Sequence, residues 1–371
     1  MGLRRSSRRS VHSVIPAAVL LALLFAVDAG PAAAPGRTAP AAGLSKVVIG
    51  YYLSGARSDF GHLKIDYSAV THISHAFTWP DAEGNLVVPD DYLYPELVQA
   101  AHDHQVKMIM SVGGWGNGDG FSGMASQEST RQRFIAQVVE FCRAQGYDGV
   151  DIDWEFVSNE EERQNFSSLI KELSTALHRM SPPRLLTMAA PSDDYSGQWI
   201  DYEDLAASFD YIGFMTYDYH GDWSDHSGFN SPLYTCDNDP DGSVDQTFSY
   251  ALQRQVPLNK ILLGIPFYGR SFDSPSPGQS FQTTNDYSFT EVMELWNQGW
   301  GYHWDDCAKV PFLSNPAGTE ILSFDDPFSV YWKCAYVSYK QAAGVIIWEL
   351  SQDNFRNTPL LIRVVALAFQ R

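Results

Sequence analysis

Three carboxylates stand at alternate positions in the stretch Tyr147–Phe156: Asp151, Asp153 and Glu155. Between them sit Val150, Ile152 and Trp154. A β-strand sends successive side chains to opposite faces, so this spacing gathers the acids on one face and the apolar residues on the other. Acids that close raise one another's pKa, and one of them is expected to hold a proton near neutral pH. A carboxylic acid that keeps its proton can protonate a leaving oxygen, as glycoside cleavage requires. Glu155, at the outer end, is the candidate acid. A D-x-D pattern also suits a divalent cation, but no glycine follows as in an EF-hand loop and no phosphate-binding loop is present. The apolar alternate face argues against an exposed charged edge strand.

The acids need a frame that aims them. Apolar runs at Lys46–Tyr52, Val70–Trp79 and Val106–Trp115 read as strands before the acidic one. Four more follow, at Arg184–Pro191, Phe209–Gly221, Lys260–Arg270 and Ala343–Asp353. Helix-like stretches lie between, at Tyr94–His104, Ser129–Gln145 and Asn159–Met180, the second with Phe134, Val138 and Phe141 at helical spacing. Strands that alternate with helices build a parallel sheet buried on both faces. Eight such units predict an α/β fold, a (β/α)8 TIM barrel. No G-x-G-x-x-G follows a strand, which disfavours a doubly wound dinucleotide fold. The seventh strand is separated from its helix near Pro327 by a long stretch rich in Ser, Pro, Gly and aromatics. It is expected to be a small inserted α+β subdomain, about 272–324, walling one side of the barrel mouth. The barrel domain is expected to span 45–371.

In such barrels chemistry sits at the C-terminal ends of the strands. Those ends carry Ser111 and Trp115 on the third strand, and Met215, Tyr217 and Asp218 on the sixth. Tyr268 and Arg270 end the seventh, and Trp348 ends the eighth. Ser111 reads as a helper to the buried aspartates, because no G-x-S-x-G surrounds it. The histidines, including His72, His75 and His220, show no metal-ligand spacing and are read as structural. No metal and no cofactor are expected.

With these residues in place a family resemblance appears. "DGVDIDWE" (Asp148–Glu155) resembles the D-x-x-D-x-D-x-E signature of glycoside hydrolase family 18, the chitinases. "SVGGW" resembles its strand-three motif, "MTYD", "PFYGR" and "IIWEL" its strand-six, -seven and -eight motifs, and "LSFDDPFSVYWK" the stretch that follows its α+β insertion. The resemblance implies substrate-assisted catalysis with retention, through an oxazolinium ion formed by the substrate's own 2-acetamido group. Glu155 would be the acid and then the base. Asp153 would hydrogen-bond the acetamido N–H and stabilise the positive charge, and Asp151 would share a proton with Asp153 and let it turn toward Glu155 or the substrate. Tyr217 would align the acetamido carbonyl, and Asp218 and Arg270 would bond the distorted sugar. Trp348 would floor the reacting sugar, Trp115 and Trp223 would stack product-side sugars, and Tyr51 and Phe77 would line the cleft. The substrate implied is chitin or chitooligosaccharide, cut at β-1,4 links between N-acetylglucosamine units in endo fashion. An endo-β-N-acetylglucosaminidase acting on glycan cores is the alternative. A chitin-binding lectin is disfavoured because Glu155 and both aspartates are present.

The bulk properties fit an exported enzyme. Of 371 residues, 44% are hydrophobic, which suits a large core, and the net charge of −19 disfavours nucleic acid and anionic membranes as partners. Basic "RRSSRRS" and apolar Val14–Val27 read as a signal peptide over 1–29, followed by a Pro/Ala linker over 30–44. The mature chain is expected to be extracellular, monomeric and free of the membrane. Of four cysteines, Cys142 and Cys334 fall in helix-like segments and Cys236 and Cys307 in loops, so the last two are the expected bridge.

Overall fold

Runs rich in Val and Ile suit a pleated, buried surface, and each of the eight apolar runs contains a strand. A computed structural model describes residues 43–236 and 239–371. The expected signal peptide and all but the end of the linker lie outside the described residues. In chain order the strands are β1 (Val47–Leu53), β2 (His72–Pro80), β3 (Leu86–Val87), β4 (Lys107–Gly113), β5 (Gly149–Asp153), β6 (Leu185–Ala190) and β7 (Tyr211–Phe214). They continue as β8 (Ile261–Pro266), β9 (Tyr268–Phe272), β10 (Thr284–Ser288), β11 (Gly301–Asp305), β12 (Val310–Ser314), β13 (Ile321–Ser323) and β14 (Gly344–Trp348).

Eight strands pair in parallel in the order β1, β14, β8, β7, β6, β5, β4, β2, and β2 pairs back to β1. The ring is closed: a (β/α)8 TIM barrel, with β3 a short antiparallel appendage on β2. Strand alternation sorts the side chains. Ile49, Tyr51, Ala76, Ile109, Leu262 and Ile346 pack into one buried cluster inside the ring. Val150, Ile152 and Trp154 face the other way, into the large core between ring and helices. Trp154 stacks on Phe121 at 5.0 Å and meets Phe166 edge-on at 6.0 Å. The helices Glu128–Gln145 and Glu160–His178 cover this side. The second begins where Asn159 accepts from the Glu162 N–H, and the first ends at left-handed Gly146.

A second, antiparallel sheet runs β10, β9, β13, β12, β11, with the helix Phe289–Asn297 between β10 and β11. It corrects one boundary. The seventh predicted strand ran on to Arg270, but the barrel strand ends at Pro266 and Tyr268–Phe272 pairs with β10 and β13 instead. The second sheet therefore begins at Tyr268. A continuous apolar run conceals such a change of sheet, because both halves are buried. Cys236 and Cys307 form a disulfide, and Cys142 and Cys334 are buried and free. Among the described residues no helix is long and apolar enough to cross a membrane.

Candidate active site

Barrel register builds the acidic row. Ser111 on β4 pairs with Asp151 on β5, and Asp151 pairs with Thr187 on β6. Paired residues of parallel strands share a face, so all three point into the ring. Asp151 consequently accepts from Ser111 Oγ at 2.9 Å and Thr187 Oγ1 at 2.7 Å, and Tyr51 Oη reaches across the ring at 2.8 Å. Burial raises the Asp151 pKa, and these hydroxyl donors oppose the rise.

Asp153 sits one step closer to the mouth and is treated differently. It is 3% exposed, and its Oδ1 is buried with no hydrogen-bond partner. Burial first, then the charges of Glu155 and Asp151, push its pKa well above the usual range. Glu155 lies just past the strand, half-buried, with its pKa raised to about 7 by burial and by the charge of Asp218. Three acids with one pattern therefore occupy three environments.

Two glycines let the row close up. Gly113 has φ +115°, and a Cβ there would lie 2.0 Å from the Asp153 carbonyl oxygen. Gly114 has φ +83°, and its Cβ would enter the Phe77 ring at 2.5 Å. Its N–H donates to the Asp153 carbonyl at 2.8 Å. Glycine is required at both because L side chains rarely adopt that backbone.

The facing wall comes from β7, β9 and β14. Tyr217 is buried, and burial and the nearby acids, Asp153 first, raise its pKa well above the usual range. Its ring fills the space beside Gly264, where a Cβ would stand 2.7 Å from it. Asp218 accepts from Tyr268 Oη at 2.5 Å and lies 3.0 Å from Arg270 Nη1. Arg270 is 7% exposed and also binds Asp286 through Nε and Nη2, at 2.7 and 3.1 Å. It thereby joins Asp218 to Asp286 at the edge of the cleft, 5.0 Å from the Trp223 ring.

Aromatic surface completes the mouth. Trp348 lies 5.4 Å from Tyr51 and stacks near Phe77 at 5.8 Å, and Met215 packs in the same group. Trp115 is 79% exposed and Trp223 61% exposed, which is unusual for the largest apolar side chain. Trp115 lines a cleft with Glu155, Phe156, Asp119 and Ser122. Sugar rings present C–H faces that suit such indoles. All fourteen predicted site residues fall on this end of the barrel. Sequence reasoning missed Thr187, which sits in a strand that reads as apolar; only its register beside Asp151 reveals it. His72 and His75 are buried and paired with Thr71 and with Tyr147 and Ser54, and burial lowers both to about 3, as structural histidines.

The chain has relatives among known proteins. The chain is 32% identical over 348 residues to a probable endochitinase of Caenorhabditis elegans, covering 82% of this chain and 56% of that protein. It is 29% identical to chitinase A1 of Niallia circulans, covering 90% of this chain and 60% of that one. The chain thus spans little more than half the length of these two relatives. The crystal structure of Ostrinia furnacalis Group IV chitinase superposes with a TM-score of 0.83 at 26% identity, covering 88% of this chain and all of that one. The family model for glycosyl hydrolases family 18 matches residues 47–353, from β1 to just beyond β14, and the chain belongs to that family.

Proposed function

We propose that the protein is a secreted, retaining chitinase that cuts β-1,4 links between N-acetylglucosamine units from within the chain. The observation that carries this reading is the pairing of Asp153 with Glu155. Glu155 holds its proton up to about pH 7, and beside it Asp153 leaves one buried oxygen without a donor. An acetamido N–H is a donor of the right kind for that oxygen.

The steps follow from these roles. Glu155 gives its proton to the leaving glycosidic oxygen. The substrate's acetamido oxygen attacks the anomeric carbon from the opposite face as the C–O bond breaks, giving the oxazolinium ion. Asp153 accepts the acetamido N–H, and the Tyr217 hydroxyl aligns the acetamido carbonyl. The Asp151 carboxylate, fixed by three hydroxyls, keeps negative charge beneath the cation that forms. Glu155, now ionised, takes a proton from water as the water opens the oxazolinium ion. Two displacements at the same carbon retain configuration.

Hydrolysis of a chitohexaose, followed by anomer-resolved NMR at early times, tests this. Products should appear first as the β-anomer and include internal fragments. Release of glycans from a glycoprotein with no cleavage of chitohexaose would overturn the reading in favour of a glycan-core enzyme.

A further inference from the structure

The loop that follows β7 carries a second group of ligand-type side chains, apart from the carboxylate row. His220 and Asp239 are each 1% exposed. Among the described residues, His220 Nε2 and Asp239 Oδ1 are both buried without a hydrogen-bond partner. The other atom of each side chain is fixed by the backbone of one residue. His220 Nδ1 lies 3.1 Å from the Phe229 carbonyl oxygen, which can only accept, and Asp239 Oδ2 accepts from the Phe229 N–H at 3.0 Å. The Phe229 carbonyl thereby fixes a proton on Nδ1, and in the neutral ring Nε2 presents a lone pair. That lone pair faces Asp239 Oδ1 at 3.3 Å.

Two lone pairs at that separation repel unless a proton or a metal ion lies between them. The distance is long for a charge-assisted hydrogen bond, which runs about 2.7–2.9 Å. It equals the edge of a tetrahedron around zinc with bonds of about 2.0–2.1 Å, roughly 3.3 Å. His226 brings a third donor. One nitrogen of each histidine and one oxygen of Asp239 lie within 4.8 Å of one another. His226 Nδ1 is 2.6 Å from Asp225 Oδ1, the carboxylate pairing that orients a metal-binding imidazole. Asp241 Oδ2 stands 3.4 Å from its Nε2.

We propose that His220, His226 and Asp239 bind one divalent transition-metal ion, zinc by ligand type. Two imidazoles favour zinc over magnesium or calcium, which take oxygen ligands. The ion fastens the wall of the cleft. The His220 carbonyl accepts from Arg270 Nη1 at 2.9 Å, and Arg270 holds Asp218 and lies 5.0 Å from the Trp223 ring. The far end of the same loop is held by Cys236–Cys307. Sequence spacing gave no sign of this site, because its ligands meet only when the loop folds back on Phe229.

Tag-free full-length protein, stripped with chelator and dialysed against zinc or cobalt, tests the site. Wild type should retain one equivalent of zinc by mass spectrometry, and cobalt should give visible d–d absorption. Zinc should raise Tm by about 5 °C. His226 is 26% exposed, so His226→Ala should fold with the Tm of stripped wild type, retain under about a tenth of an equivalent, and show no zinc shift. Asp239→Asn, nearly isosteric, should lose the metal likewise. Wild type retaining under about a tenth of an equivalent would mean that the pair holds a proton instead, and would overturn the proposal. So would a full equivalent retained by either variant.

Discussion

Two buried acid clusters in this molecule are built on opposite plans. Asp325, just after β13, receives Lys333 Nζ at 2.6 Å and Ser329 Oγ at 2.6 Å. Lys333 also donates to Ser231 Oγ at 2.6 Å, and both charged side chains are nearly sealed from solvent. Every charge there has a counter-charge. At the mouth, Asp151 has hydroxyls but no cation, Asp153 Oδ1 has nothing, and Glu155 has Asp218 for a neighbour. The difference separates a carboxylate that supports the fold from one held ready for a ligand. The first is satisfied before anything binds; the second is satisfied only by what binds.

The largest expected effect is at Glu155. Glu155→Gln cannot give or take the proton, and chitohexaose turnover should fall by about 10³-fold or more, or about 4 kcal/mol of barrier, with oligosaccharide binding kept. Near-normal turnover in a coupled sugar-release assay would erase the contrast between the clusters. At the paired cluster, Lys333→Met leaves Asp325 buried without its cation. It should cost about 3–5 kcal/mol in denaturant unfolding, and Lys333→Met with Asp325→Leu should recover much of that. A single variant within about 1 kcal/mol of wild type would show that this pair is not the structural pole of the comparison.

A smaller effect has the opposite sign. The folded-state pKa of Glu155 is raised to about 7 from an ordinary 4.5, so the folded state binds the extra proton between those values. Stability contributed by that proton is full below about pH 4.5 and is lost as pH rises through 7. Glu155→Gln removes the loss and should stabilise the protein by about 1–2 kcal/mol at pH 8, discounted for partial exposure, and by little at pH 4. Equal stability at both pH values would place Glu155 in ordinary solvent. The smallest effect is at Thr187. Thr187→Val removes one of three donors from Asp151 and should lower kcat by up to about tenfold with KM little changed. A change in KM alone would assign Thr187 to binding.

Much of this was legible because periodicity is a local signal. The β5 alternation alone separated Asp151 and Asp153 from Val150, Ile152 and Trp154, and closed-barrel geometry then fixed which face was inward. What stayed hidden depends on register or on long loops. Thr187 sits in an apolar strand and acts only through its neighbour Asp151. Phe267 marks a change of sheet inside a run that is buried throughout, so β8 and β9 read as one strand. Arg270 meets Asp286 and the His220 carbonyl, partners that only the second sheet and the loop after β7 bring to it. His220, His226 and Asp239 are scattered in a segment with no repeating pattern.

The barrel mouth is expected to keep a proton on Glu155 near neutral pH. Carbon-detected NMR titration of the Glu155 carboxyl in the resting protein, assigned with Glu155→Gln, measures it directly. A midpoint of about 7 is expected. A midpoint near the ordinary 4.5 would contradict it.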